Sequence, residues 1–161
     1  MGLGKTLEMI ALALAHPAPA EWVEDSTKRR PATLVVVPDA LVGQWTNEVN
    51  KWAPDAKVAE WTDTRGEGAK RVARLPQGFV LTTYGAANNV ANAGLEWWRV
   101  VCDEPHASLK ARPRAGRIDV APAAEACQSL DAPNRWSVTG TPFSNELFEV
   151  YGQLAFLRLL P

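Results

Sequence analysis

Residues 32–52 read ATLVVVPDALVGQWTNEVNKW, and the two halves of this stretch follow different rules. The first half is a continuous apolar run stopped by Pro38, the pattern of a strand covered on both faces. The second carries Leu41, Trp45, Val49 and Trp52 at spacings of four, four and three, which lines one face of a helix. Asp39 stands where a helix cap would and is expected to act as one. A buried strand running straight into an amphipathic helix predicts an α/β fold with a parallel sheet.

The alternation continues on both sides. GFVLTTYG (78–85) and WWRVVCDE (97–104) are further buried-strand runs, KVAEW (57–61) is a short strand, and RWSVTGTP (135–142) is a strand leaving into a loop. Helices are expected over Lys5–Ala15, 123–130 and 145–160, a helix or a loop over 86–94, and a polar turn with a helix over 64–76. Residues 110–122, rich in Pro and Arg, read as a loop. Trp45, Trp52, Trp97 and Trp136 are expected to pack in the core, Cys102 to be a buried small residue, and His16 to end a helix.

Composition narrows the class. A chain of 161 residues with 47% hydrophobic and 22% charged residues is one globular domain. Its net charge of −1 creates no global field toward nucleic acid or membrane, so any polyanion contact needs a local patch. Two cysteines are too few for a disulfide framework and lack metal-ligand spacing, which fits a reduced, intracellular chain. The apolar stretch 7–15 is short, has no basic leader and contains Glu8, so neither a secretory signal nor a membrane span is expected.

Open parallel sheets bind ligands at the carboxyl ends of their strands. Four candidate segments lie there or on the opening loop: 2–6, 38–39, 103–106 and 139–142. GLGKT (2–6) has the glycines, lysine and threonine of a phosphate loop, although the first two positions of G-x-x-x-x-G-K-[ST] would precede Met1. Its plain alternative is a Gly-rich turn before a helix. Asp103 and Glu104 follow a buried strand directly; in nucleotide hydrolysis the first acid holds Mg²⁺ and the second orients water. Their alternative is an acidic surface turn. Lys110, Arg112, Arg114 and Arg117 could touch phosphates or form a flexible basic loop.

Taken together, MGLGKT, TLVVVPDALVGQWTNEVNKW, VLTTYG, WRVVCDEPH and RWSVTGTPFSNELFEVYGQLAFLRLLP resemble, in order and spacing, the Swi/Snf-type ATPases of helicase superfamily two. W-x-R-V-V-x-D-E looks most like the branch linked to RING-type ubiquitin ligases. The resemblance covers nearly the whole chain. It implies a RecA-like P-loop lobe, the first of two, over 1–161: a mostly parallel sheet flanked by helices. It also implies ATP and Mg²⁺ as cofactors, with double-stranded DNA and a second RecA-like lobe as partners of the intact core. It implies no membrane partner, and a nuclear location in a eukaryote or a cytoplasmic one otherwise.

By the same resemblance, Gly2, Gly4, Lys5 and Thr6 match the phosphate motif, Asp103, Glu104 and His106 the acidic motif, and Thr139, Gly140 and Thr141 the coupling motif. Thr6 and Asp103 would hold the metal, and Glu104 with Asp103 would be catalytic. Pro38 and Gln44, with Thr83 and Tyr84, fall where the family meets the DNA backbone. There are departures. Pro105 replaces a small residue, Asp39-Ala40 and Ser144 stand where hydroxyl residues and Gln are usual, and ASLKARPRAGR follows the acids in place of R-I-K-N. By the same resemblance a strand should feed the phosphate loop from before Met1, so the chain is expected to be a piece of a longer protein, and loss of that strand is expected to expose an edge of TLVVV, FVLTT or WRVVC. The alternatives are a natural short relative, or a non-catalytic remnant that binds nucleotide or packs on a partner.

Overall fold

The computed structural model describes residues 4–24, 27–63, 67–72, 75, 77–142 and 148–160. Strands β1 (Arg29–Val37), β2 (Lys57–Glu60), β3 (Gly78–Thr83), β4 (Glu96–Asp103) and β7 (Asn134–Val138) form one five-stranded sheet in the order β2-β3-β1-β4-β7. Every pairing in it is parallel. Helices α1 (Lys5–Ala15), α2 (Ala20–Glu24), α3 (Val42–Trp52), α4 (Glu67–Val72), α5 (Ala87–Asn92), α6 (Pro122–Ser129) and α7 (Phe148–Phe156) complete an α/β lobe.

The sheet is apolar on both faces because both are covered. Leu34, Val36, Val80, Val100 and Cys102 turn toward Val90 of α5, Ala124 and Cys127 of α6 and Phe156 of α7. Their neighbours in the chain, Val35, Val37, Leu81 and Val101, turn toward Ile10 of α1 and Trp45 and Val49 of α3. Period-two side-chain direction therefore splits one apolar run between two cores. Gly152 lets α7 approach the segment before the hairpin, since a Cβ there would sit 2.1 Å from the Leu109 carbonyl oxygen.

Several expectations are corrected. TLVVV, FVLTT and WRVVC each have a strand on both sides, so the open edges of this sheet belong to β2 and β7. Residues 110–122 are not a loop: β5 (Ala111–Arg114) and β6 (Arg117–Val120) pair as an antiparallel hairpin. Left-handed Ala115 and Gly116 close it in a two-residue turn. Asp39 caps nothing with its side chain; it opens a 3₁₀ turn over Asp39–Leu41, and α3 starts only at Val42. Trp52, the last residue of α3, is 47% exposed, its ring under Lys51 and its indole bonded to Glu48. Trp136 is 40% exposed because it lies on β7, the outermost strand. Trp45, Trp97 and Cys102 are buried as expected.

Candidate functional site

Strand register brings the candidate segments to one end of the sheet. Val37 lies opposite Thr83, Val36 opposite Cys102, and Asp103 opposite Val138. The chain therefore leaves the sheet at nearly one level through Pro38, Tyr84, Glu104 and Thr139. Charges at that end lie beyond the ladder, where water and ligands can reach them.

Lys5, Glu104, His106 and Thr139 meet there. The Lys5 ammonium donates to Glu104 Oε1 at 2.5 Å, and the Thr139 hydroxyl donates to Glu104 Oε2 at 3.1 Å. Thr139 Oγ1 also accepts the Thr141 backbone N–H at 3.1 Å and lies 3.2 Å from His106 Nδ1. With the single Thr139 proton given to Glu104, the 3.2 Å approach of His106 Nδ1 fits a donor toward the Thr139 oxygen. His106 Nδ1 also stands 3.3 Å from Glu104 Oε2. Burial alone would push the Glu104 carboxyl up, but the hydrogen bonds from Lys5 and Thr139 and the Lys5 charge outweigh it and hold it below the usual range.

Glu104 has φ 48° and ψ 50°, a left-handed conformation made costlier by the proline that follows. Pro105 is buried and begins a 3₁₀ turn over Pro105–Ala107 that carries His106 back toward Thr139. The fixed φ of Pro105 starts the turn, and Glu104 absorbs the bend.

Asp103 is buried, and burial raises its carboxyl above the usual range. The Trp45 indole N–H donates to Asp103 Oδ2 at 2.8 Å, which opposes that shift and fixes the carboxylate's orientation. The Tyr84 hydroxyl donates to the Asp103 carbonyl oxygen at 2.8 Å from a buried position, so this side chain braces the end of β4. Thr83 is buried, and its Oγ1 accepts the Ala86 N–H. Pro38 is half-buried and Gln44 exposed at the same end.

The phosphate-loop candidates are consistent with an anion. Gly4 has φ +80°, and among the described residues no side chain caps the start of α1, where a helix offers its first N–H groups. Gly140 matters by what it lacks: a Cβ there would come within 3.3 Å of the Lys5 ammonium. Thr6 is half-buried in the first turn of α1, and Gly140 and Thr141 are exposed. Gly2 and Ser144 lie outside the described residues.

Three supporting residues escaped sequence reasoning. Trp45 and Tyr84 read as core and as DNA-facing, yet both hold Asp103 in place. Gln153 of α7 is buried, accepts from Ser137 and donates to the Pro142 carbonyl, tying the loop that carries Thr139 to α7. A polar side chain inside the apolar stripe of 148–156 was the available signal.

Comparison with known proteins follows the same lines. The family model of the SNF2-related domain matches residues 1–161. The chain is 31% identical to the DNA repair protein RAD5B of Arabidopsis thaliana over 195 residues, covering all of this chain and 14% of that protein. It is 30% identical to the DNA repair protein rad8 of Schizosaccharomyces pombe, covering all of this chain and 16% of that one. In fold it is similar to the Sulfolobus solfataricus SWI2/SNF2 ATPase core in complex with dsDNA, with TM-score 0.69 and 26% identity over 97% of this chain and 29% of that one. No helix among the described residues is long and apolar enough to cross a membrane.

Proposed function

The chain belongs to the SNF2-related family, and on that premise we propose that it is the ATP-binding first RecA-like lobe of a DNA-dependent ATPase that moves along double-stranded DNA in repair or remodelling. The observation that supports this most is the meeting of Lys5, Glu104, His106 and Thr139 at one sheet end. These residues come from the starts of α1 and of the turn after β4, and from the end of β7, up to 134 positions apart between Lys5 and Thr139. Packing alone has no use for such a charged cluster.

Bound Mg·ATP would supply the phosphoryl group and the cation that offsets its charge. In this reading Lys5 leaves Glu104 to take the phosphates, with the N–H groups of the first turn of α1 around it. Asp103, oriented by Trp45, and Thr6 are the residues that would hold a Mg²⁺ ion, which would supply positive charge against the phosphates. Glu104, freed of Lys5 but still bonded to Thr139, orients the attacking water. Thr139 passes the state of Glu104 to the loop that Gln153 anchors. Arginines supplied from a second lobe complete the charge on the far side of the phosphate, an effect worth roughly 10³–10⁵ in rate in nucleotide hydrolases. The chain by itself is therefore expected to bind nucleotide weakly and to hydrolyse it negligibly.

The test uses a fluorescent ATP analogue and hydrolysis assays on the chain alone and joined to a SNF2-type second lobe. Lys5→Ala should lose binding, and Glu104→Gln should bind but not turn over. Binding that is indifferent to Lys5 would refute the assignment.

A further inference from the structure

We propose that the outer face of the β5–β6 ribbon is a contact surface for the phosphates of duplex DNA; the choice of DNA rests on the reading above. Pairing sets Arg112 opposite Asp119, Arg114 opposite Arg117, Ala111 opposite Val120 and Pro113 opposite Ile118. Opposed residues in an antiparallel pair share a face, as do alternate residues along each strand. Arg112, Arg114, Arg117 and Asp119 thus stand on one face, and Ala111, Pro113, Ile118 and Val120 on the other. Ala111 is buried, Val120 packs against the main core, and β5 lies against α7, so the apolar face is turned to the body at the base of the ribbon, while Pro113 and Ile118 nearer its tip are exposed. The arginine face looks outward, with the Arg114 and Arg117 side chains 74% and 72% exposed.

Three arginines less one aspartate leave +2 on this face, and exposed Lys110 adds one at its base, on a chain whose net charge is −1. The basic groups are thus concentrated by pairing, not scattered. Asp119 accepts from Arg114 at 3.3 Å and from Arg117 at 2.8 Å, which holds the two guanidinium groups side by side while neutralising one charge. The ribbon is also stiff. Its two-residue turn has both φ values positive, 45° at Ala115 and 82° at Gly116, and its base is closed by the bond from Ala121 N–H to the Lys110 carbonyl at 2.9 Å. It leaves the sheet just after His106, at the same end as Glu104. A two-stranded ribbon fits against a DNA groove, and a fixed row of guanidinium groups matches phosphate oxygens in geometry as well as charge.

The experiment measures anisotropy of a fluorescein-labelled 20-base-pair duplex with the wild-type chain, the triple variant R112Q/R114Q/R117Q and D119N, between 50 and 200 mM salt. The triple variant should bind at least about tenfold more weakly at low salt. Its log K against log salt slope should be shallower by about 2–3, because each phosphate contact contributes about 0.9. D119N should bind more tightly, since it unmasks a charge. Neither change should alter nucleotide binding, and Lys5→Ala should leave duplex binding intact; the ribbon and the nucleotide reading can therefore fail separately. The proposal is overturned if wild type does not bind duplex, if the triple variant matches it in affinity and slope, or if poly-glutamate competes as well as DNA at equal charge. The last result would assign the face to an acidic protein segment.

Discussion

Strand β4 carries two buried charges four residues apart, Arg99 and Asp103, and the chain treats them differently. Arg99 donates to the Thr33 hydroxyl at 3.1 Å and to the His16 carbonyl at 2.9 Å, and no carboxylate pairs with it among the described residues. The Trp98 indole bonds to the same carbonyl. His16 ends α1, so a cation and a second donor sit on the negative end of that helix. Burial lowers the Arg99 pKa, and neutral acceptors with a helix terminus make the charge tolerable. Asp103 is held by a neutral donor on one oxygen, at the sheet end where Lys5, Glu104 and Thr139 gather. The first charge fastens α1 to the sheet; the second is oriented for use. Buried charge is therefore no guide to function without its position along the strand.

That contrast can be broken by mutation. The largest effect belongs to Glu104→Gln, which should lower ATP turnover of the chain joined to a second lobe by about 10²–10⁴-fold with binding retained, as for loss of a general base. Trp45→Phe should weaken Mn²⁺ binding in the presence of nucleotide by about 10–100-fold, the usual cost of removing a group that orients a metal ligand. Electron paramagnetic resonance of free Mn²⁺ reads this directly, and unchanged binding would show that the indole serves packing alone.

Arg99 should behave in the opposite way. Arg99→Ala should cost about 2–5 kcal/mol in chemical denaturation through lost packing and an orphaned His16 carbonyl, with nucleotide binding per folded molecule unchanged. Gly152→Ala should cost about 1–3 kcal/mol because its methyl group meets the Leu109 carbonyl.

The smallest effect is on the acid side. Glu104 has a folded pKa below its unfolded one, so its contribution is full above the ordinary carboxylate range and is lost as pH falls through the depressed value. Asp103 has a raised folded pKa, so its burial penalty is full above that value and is relieved as pH falls through it. The two slopes oppose each other, Asp103 acting at the higher pH. Denaturation between about pH 3 and 6 should show D103N removing the gain and E104Q removing the later loss. Parallel curves for both variants and wild type would contradict the assignment.

Much of this was legible in residue order. The apolar runs at 33–37, 79–83 and 97–102 announced a sheet covered on both faces, and Asp103-Glu104 with Gly4-Lys5-Thr6 marked the candidate site. Less visible were matters of pairing. Strand order placed the open edges on β2 and β7, because a buried run does not reveal its neighbours. The segment 110–122 read as a loop because Pro113 and four basic residues mask the alternation, yet its two halves satisfy each other's backbone groups, bury Ala111 and half-bury Val120.

The sequence by itself determined the fold class, the two-core sheet and the identity of Lys5, Asp103, Glu104 and Thr139 as candidates, because side-chain period and local charge are written along the chain. Only the tertiary structure decided that Trp45 and Tyr84 serve Asp103, that Gln153 anchors the loop after β7, that Arg99 closes α1, and that three arginines share one face. All but the last are distances between residues 11 to 83 positions apart. Register and packing set such distances, and no local pattern encodes them.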